Sequence, residues 1–297
     1  MQRESSKEFG AARLGFGCAA LHGAVSPRDA VILLETALDN GITHFDAARA
    51  YGWGETERML GDLARRRRAE MVIVSKAGIA PPSLAGRALK KIAGRFVPAL
   101  AAAGEPAFGR FAPAQITQSV EQSLRALGTD RLDALLLHEI QPAHVTDELK
   151  RALEAVKQSG KALRIGLATS DSATASIQGA HPDLCAVVQI AAPPVGQRAL
   201  ETKGVRILHS VLGQRLHAFA TMLNGEPQRA ARFKRETGCD PTDRGALARL
   251  LLKRAAREGM ALFSSTRAGN IAANATLLGA ANDCEQLQGF DRFLAAA

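Results

Sequence analysis

Short apolar runs rich in Val, Ile and Leu alternate along this chain with longer stretches in which apolar residues recur every three or four positions. The first kind reads as buried strands: Leu14 to Gly17, Thr43 to Asp46, Val72 to Lys76, Ala134 to His138, Arg164 to Ala168, Val187 to Ile190, Val205 to Ser210 and Ala261 to Ser264. The second predicts helices over Pro27 to Asn40, Glu55 to Arg68, Pro113 to Leu127, Asp147 to Ser159 and Asp243 to Glu258, with Asp243 as a cap and Gly41 and Gly160 as stops. Eight strand-then-helix units in 297 residues predict one domain, a closed (β/α)8 TIM barrel spanning residues 1–297, whose site is built where strands end and loops begin. A doubly wound sheet is the rival. Its phosphate fingerprint is missing, because Gly15-Phe16-Gly17 is a G-x-G without the following helix.

Two segments interrupt the alternation, at about residues 77–112 and 214–242. Both follow a strand, so both are expected as long loops over the catalytic face, where lids and substrate contacts are found. Aromatic residues make up only 4% of the chain, which leaves Ala, Leu, Ile and Val to fill the core. The four cysteines, Cys18, Cys185, Cys239 and Cys284, have no metal-ligand spacing; reduced thiols, no metal and a cytoplasmic location are expected. The polar start lacks the apolar core of a signal peptide, and no stretch approaches the ~20 apolar residues of a membrane span. The net charge of +9 is densest at Arg65 to Arg68, read as a solvated helix end rather than a nucleic-acid contact, since no aromatic residues interleave it.

The only tyrosine, Tyr51, stands five places after Asp46, itself at a predicted strand end; Lys76 and His138 close two other strands. A phenol with an acid, an amine and an imidazole suits carbonyl reduction. A strand-end lysine in a barrel also admits a Schiff-base aldolase using Lys76, so that reading stays open.

The run Gly41-Ile42-Thr43-His44-Phe45-Asp46, then Tyr51-Gly52, Glu55-Thr56-Glu57 and Leu60-Gly61, resembles the N-terminal signature of the aldo-keto reductases. Val74-Ser75-Lys76 and the segment from Leu124 to Asp133 leading into His138 are similar to that family too. The resemblance, from about Leu14 to Asn274, implies an NAD(P)H-dependent oxidoreductase that interconverts an aldehyde or ketone with an alcohol. It implies a tetrad of Asp46, Tyr51, Lys76 and His138, with Tyr51 as acid, Lys76 lowering its pKa, Asp46 orienting Lys76 and His138 donating to the substrate oxygen. A small-molecule carbonyl substrate follows from the same likeness.

For the cofactor the resemblance implies Ser170, Asp171 and Gln189 at the nicotinamide, with Asp171 where the family has asparagine. Ser210 and Leu212 are implied at the pyrophosphate. At the adenosine end it implies Thr266, Arg267, Asn270 and Asn274, where Arg267 favours NADPH while NADH stays possible. No aromatic residue stands where the family stacks one on the nicotinamide; Ala192, Pro193 and His209 occupy that region. A non-catalytic NADPH-binding regulatory subunit is therefore a third reading. Substrate contacts are assigned to His22, Arg49 and Trp53, on loops expected to border the pocket.

Overall fold

The computed structural model describes Phe9 and residues 12–82, 106–278 and 284–296. Eight parallel strands close on themselves in chain order: β1 (Leu14–Gly17), β2 (His44–Asp46), β3 (Val72–Ala77), β4 (Ala134–His138), β5 (Ile165–Ala168), β6 (Val187–Ala191), β7 (Val205–His209) and β8 (Met260–Phe263). Closure is made by β1 against β8, with Leu14 opposite Ala261 and Phe16 opposite Phe263. Each predicted strand is present, with ends shifted by a residue or two.

Around the barrel, among the described residues, lie α1 (Pro27–Asp39), α2 (Glu55–Arg67), α3 (Pro113–Leu127), α4 (Asp147–Gln158), α5 (Asp171–Ala180), α6 (Gln214–Asn224), α7 (Pro227–Thr237), α8 (Arg244–Glu258), α9 (Ala268–Ala275) and α10 (Cys284–Ala295). The first shows how the sequence makes a helix. Ser26 accepts a hydrogen bond from the Asp29 N–H, Pro27 opens the first turn, and Ala30, Leu33, Leu34, Ala37 and Leu38 form one buried stripe. A cap of this kind contributes about 1 kcal/mol. Asp243 caps α8 as expected, accepting from the N–H groups of Gly245 and Ala246 at 2.8 and 3.0 Å.

The segment at 214–242 is not a loop. It forms α6 and α7, because Leu216, Phe219, Ala220 and Leu223 fall on one helical face and Pro227 starts a second helix that Gly238 ends in a left-handed conformation (φ 70°). Phe219 and Phe233 pack edge-on with Phe290 of α10, which buries much of the chain's small aromatic complement outside the barrel. Of the segment at about 77–112, the lid expected between Pro81 and Gly109 lies for the most part outside the described residues. Its two ends meet: Ala80 and Ala107 exchange backbone hydrogen bonds at 2.8 and 2.9 Å.

The arginine run at the end of α2 meets the protein's own carboxylates. Arg65 pairs with Asp62, Arg66 with Glu35, Arg67 with Asp39 and Glu70, and Arg68 with Asp133. No helix among the described residues is long and apolar enough to cross a membrane.

Candidate active site

Strand alternation builds the floor of the site. In β3, Val72 and Val74 face the barrel interior and Ile73 and Ala77 face the helices, so Lys76 points inward. The same parity turns Asp46, His138, Gln189 and His209 inward at the carboxyl ends of β2, β4, β6 and β7. Gly17 and Ala168 hold the corresponding places on β1 and β5, and Ser264 follows the end of β8. All of these line one cavity of about 700 Å³, with Tyr51 in its wall. The two small residues leave room on the floor, and polar groups flank it.

Lys76 and Asp46 form a deeply buried pair. The ammonium donates to Asp46 Oδ1 at 2.6 Å and to the Ala47 carbonyl at 3.0 Å, with side-chain exposures of 1% and 3%. Gln189 Nε2 donates to the other carboxylate oxygen at 3.1 Å. Tyr51 arrives from a loop, where its N–H donates to the Ala48 carbonyl and begins a short turn, Tyr51–Gly54. The Lys76 ammonium stands 4.7 Å from the Tyr51 ring centroid, and the His138 ring meets Tyr51 edge-on at 5.9 Å. Four groups from three strands and a loop thus converge.

Burial and mutual charge set their protonation. Burial pushes the Tyr51 phenol above its ordinary value, and the Lys76 ammonium opposes it without reversing it. The expected net lowering of the phenol is therefore corrected: desolvation outweighs the ammonium. For Lys76 burial works downward, but Asp46 and Tyr51 outweigh it and the pKa ends above the usual lysine value. Burial, with Lys76 adding to it, brings His138 down to about 3, so its imidazole is neutral around pH 7. Burial also raises the nearby Cys18 thiol, which keeps it protonated.

Of the other residues predicted for the site, Gln189, Ser210 and Leu212 line the cavity. Ser170, Asp171, Thr266, Arg267, Asn270 and Asn274 do not. Ser170 caps α5 by accepting from the Ala173 N–H, Asp171 opens that helix on the surface, and Thr169, one residue earlier, is the group in the cavity wall. Thr266, Arg267 and Asn270 are exposed and Asn274 is buried, all on α9 or the turn leading to it from Ser264.

None of the three assigned substrate contacts lines the cavity. His22 and Trp53 pack rings edge-on at 5.1 Å, above Gly52, where a Cβ would come within 2.5 Å of the imidazole. Arg49 turns to Glu57 at 2.8 Å, because a guanidinium two residues from Tyr51 finds a buried carboxylate behind the loop. What the sequence reading missed are Glu139, directly after His138, and Arg215, in the first turn of α6; both line the cavity. Their adjacency to His138 and to the Ser210–Leu212 stretch was the available signal.

The cavity fits a nicotinamide nucleotide. Gln189 Oε1 and Ser264 Oγ are buried without a hydrogen-bond partner among the described residues, so each offers a polar atom to a bound amide or hydroxyl. The loop before α6 carries Ser210 at φ 57° and Gly213 at φ 65°, which leaves the free N–H groups of the helix start beside Arg215. That combination suits a phosphate.

A profile of the Aldo/keto reductase family matches residues 13–236. Oxidoreductase YdhF of Escherichia coli (strain K12) is 34% identical over 182 residues, 59% of this chain and 55% of that protein. D-threo-aldose 1-dehydrogenase of a Pseudomonas species is 34% identical over 190 residues, again 59% and 55%. The chain thus matches about half the length of these relatives. In fold it is similar to aldo-keto reductase AKR11C1 from Bacillus halodurans, with a TM-score of 0.71 at 20% identity over 97% of this chain and 95% of that one. It is also similar to an aldo-keto reductase from Klebsiella pneumoniae in complex with NADPH, with a TM-score of 0.66 at 22% identity over 95% and 90% of the two chains.

Proposed function

Because the chain belongs to the aldo/keto reductase family, we propose that it reduces an aldehyde or ketone to an alcohol with NADPH, and runs the reverse oxidation at the same site. The observation that carries this reading is the buried Lys76–Asp46 pair beside the chain's one phenol and a neutral imidazole, all lining one cavity. Reduced nicotinamide, when bound, supplies a hydride to the carbonyl carbon.

The protein's own groups handle the oxygen. As negative charge develops there, the Tyr51 O–H donates its proton, and the Lys76 ammonium at its ring stabilises the phenolate left behind. Asp46 holds that ammonium in place through a single short contact, and Gln189 steadies the other carboxylate oxygen. His138, neutral, donates an N–H to the substrate oxygen and directs it, without serving as the acid. A Schiff base on Lys76 needs an amine that loses its proton readily, whereas Asp46 keeps this one charged and nearly inaccessible, so the aldolase reading loses its support.

The free oxygen of Gln189 suits the nicotinamide amide, and the Ser210–Leu212 loop with Arg215 suits the pyrophosphate. Beyond Ser264 the chain continues to Thr266, Arg267, Asn270 and Asn274, a set suited to the adenosine end, where Arg267 would meet a 2′-phosphate. Three buried free thiols, Cys18, Cys185 and Cys239, fit a reducing, cytoplasmic setting.

The test is a panel of carbonyl compounds with NADPH and NADH, followed at the nicotinamide absorbance band. Relatives named D-threo-aldose 1-dehydrogenase, 6-dehydroglucose reductase and Pyridoxal 4-dehydrogenase suggest sugar-derived and pyridine aldehydes for it. Tyr51→Phe should lower turnover by ~10²–10⁴ while leaving cofactor affinity unchanged. Retention of more than about half of wild-type turnover would remove Tyr51 from the role of acid.

A further inference from the structure

We propose that Glu57 is the positioning residue for Tyr51, fixing the phenol against Lys76 through Arg49 on one side and Ser75 on the other. Glu57 lies in the first turn of α2 and is fully buried. Its Oε1 accepts from the Ser75 hydroxyl at 2.6 Å and its Oε2 from Arg49 at 2.8 Å. Ser75 immediately precedes Lys76, and strand alternation turns it to the outer face of β3, so this carboxylate sits directly behind the strand that presents the ammonium. Arg49 precedes Tyr51 by two residues and reaches on to Gln122 of α3 at 3.5 Å. One carboxylate therefore ties the Tyr51 loop to the Lys76 strand.

The loop needs such a tie. Immediately after Tyr51 the backbone turns left-handed at three successive residues, Gly52, Trp53 and Gly54, with φ of 54°, 56° and 89°. Among the described residues no helical ladder anchors this stretch to the barrel; its backbone bonds are local apart from Ala47 N–H to the Val74 carbonyl. A Cβ on Gly54 would lie 3.2 Å from the Arg49 guanidinium, so the glycine keeps open the space through which Arg49 reaches Glu57. An ion pair this deep adds little to stability, because desolvation offsets the attraction, and an apolar pair could fill the same volume. What it supplies is direction: two fixed hydrogen bonds that an apolar pair lacks.

The proposal rests on the reading of Tyr51 as the acid, but its test does not need turnover. Tyr51 is the only tyrosine in the chain, so tyrosinate absorbance in the near ultraviolet reports this phenol alone. The groups facing it are Lys76, Asp46, Cys18 and His138. Burial is the largest cause of its raised pKa, so a loosened loop should let it ionise closer to the ordinary phenol value of about 10. Glu57→Gln, with circular dichroism confirming the fold, should show tyrosinate appearing at lower pH than in the wild type.

In the same variant kcat should fall about ten- to a hundredfold, the cost of a small misplacement of a reacting group. KM and NADPH affinity should stay within about twofold. Arg49→Lys leaves Glu57 a counter-charge, so it serves as the second variant should Glu57→Gln not fold, and it should move both readouts in the same direction by less. An unchanged tyrosinate titration in a folded variant overturns the proposal whether or not kcat moves. Proportional loss of turnover, cofactor binding and circular dichroism in both variants also overturns it, as a purely structural role. Absence of turnover in the wild type would count against the reductase reading and leave the titration to decide on Glu57.

Discussion

Asp46→Asn is the sharpest perturbation of the buried pair, because it removes a charge and almost nothing else. The substituted amide can still accept from Lys76 through its oxygen, and Gln189, whose Oε1 has no partner among the described residues, can turn its own amide to accept from the new N–H group. The hydrogen-bond count survives, so the change measured is electrostatic. Two unit charges at the observed 2.6 Å contact attract by about 6 kcal/mol at an effective dielectric of ~20, and breaking a buried pair from one side typically costs about 3–5 kcal/mol. In a chain of 297 residues that is a fall in Tm of roughly 5–8 °C.

The pH dependence gives the signature. Without Asp46 the burial that already works against the Lys76 charge dominates, and its folded pKa drops below the unfolded lysine value. A lysine so depressed binds fewer protons folded than unfolded, so the deficit is full around neutral pH and narrows as pH rises toward about 10.4. Removing the partner as well, in Asp46→Leu with Lys76→Met, should bring stability back to within about 2 kcal/mol of the wild type while leaving carbonyl reduction abolished. Thermal unfolding by circular dichroism across pH, paired with turnover, reads all of this. A deficit below about 1 kcal/mol, or one independent of pH, would refute the argument that Asp46 is what keeps Lys76 charged.

Other outcomes follow from the same site. Arg215→Ala should weaken NADPH and NADH alike by about tenfold or more, whereas Arg267→Ala should weaken NADPH alone, both read by nicotinamide fluorescence titration; equal losses for both cofactors in Arg267→Ala would take the 2′-phosphate contact away from it. Because His138 is held near pKa 3, kcat for reduction should be level from about pH 5 to 8, and an acid limb near 6.5 in kcat would show that the imidazole is not neutral there. His44 is buried with neither ring nitrogen bonded among the described residues, and burial lowers it to about 4. Its folded pKa is depressed, so stability is full above about 6.5 and lost as pH falls to about 4, worth about 3 kcal/mol; His44→Leu should lose correspondingly less Tm between those limits.

The barrel was legible because its strands are short, apolar on both faces and separated by helical periods, a pattern with few other solutions. The floor of the site was legible for a related reason: a strand has a period of two, so a polar residue at the end of an inward-facing row has only one place to go. Asp46, Lys76, His138 and Gln189 are all of this kind. The sequence over α6 and α7 resembles a loop although Leu216, Phe219, Ala220 and Leu223 carry the period, because Gly213, Gly225, Pro227 and Gly238 divide the pattern into pieces of 11 residues each. Their stability comes from the phenylalanine contacts with α10, which no local window contains.

Loop residues were misjudged because no period governs them. His22, Arg49 and Trp53 lie close in sequence to the ends of β1 and β2, and proximity suggested the pocket. The direction of each is instead decided by a partner far along the chain or by a steric detail: Glu57 and Gln122 for Arg49, the narrow space over Gly52 for His22. Tyr51 belongs to the same loop and is subject to the same uncertainty of direction, yet it reaches the cavity. The difference must lie in what holds the loop. Strand geometry already sends Lys76 and His138 inward, but a phenol just before a left-handed turn has to be aimed by bonds to its neighbours. A buried carboxylate with two donors stands behind both this loop and the strand that presents Lys76, and so ties the one to the other.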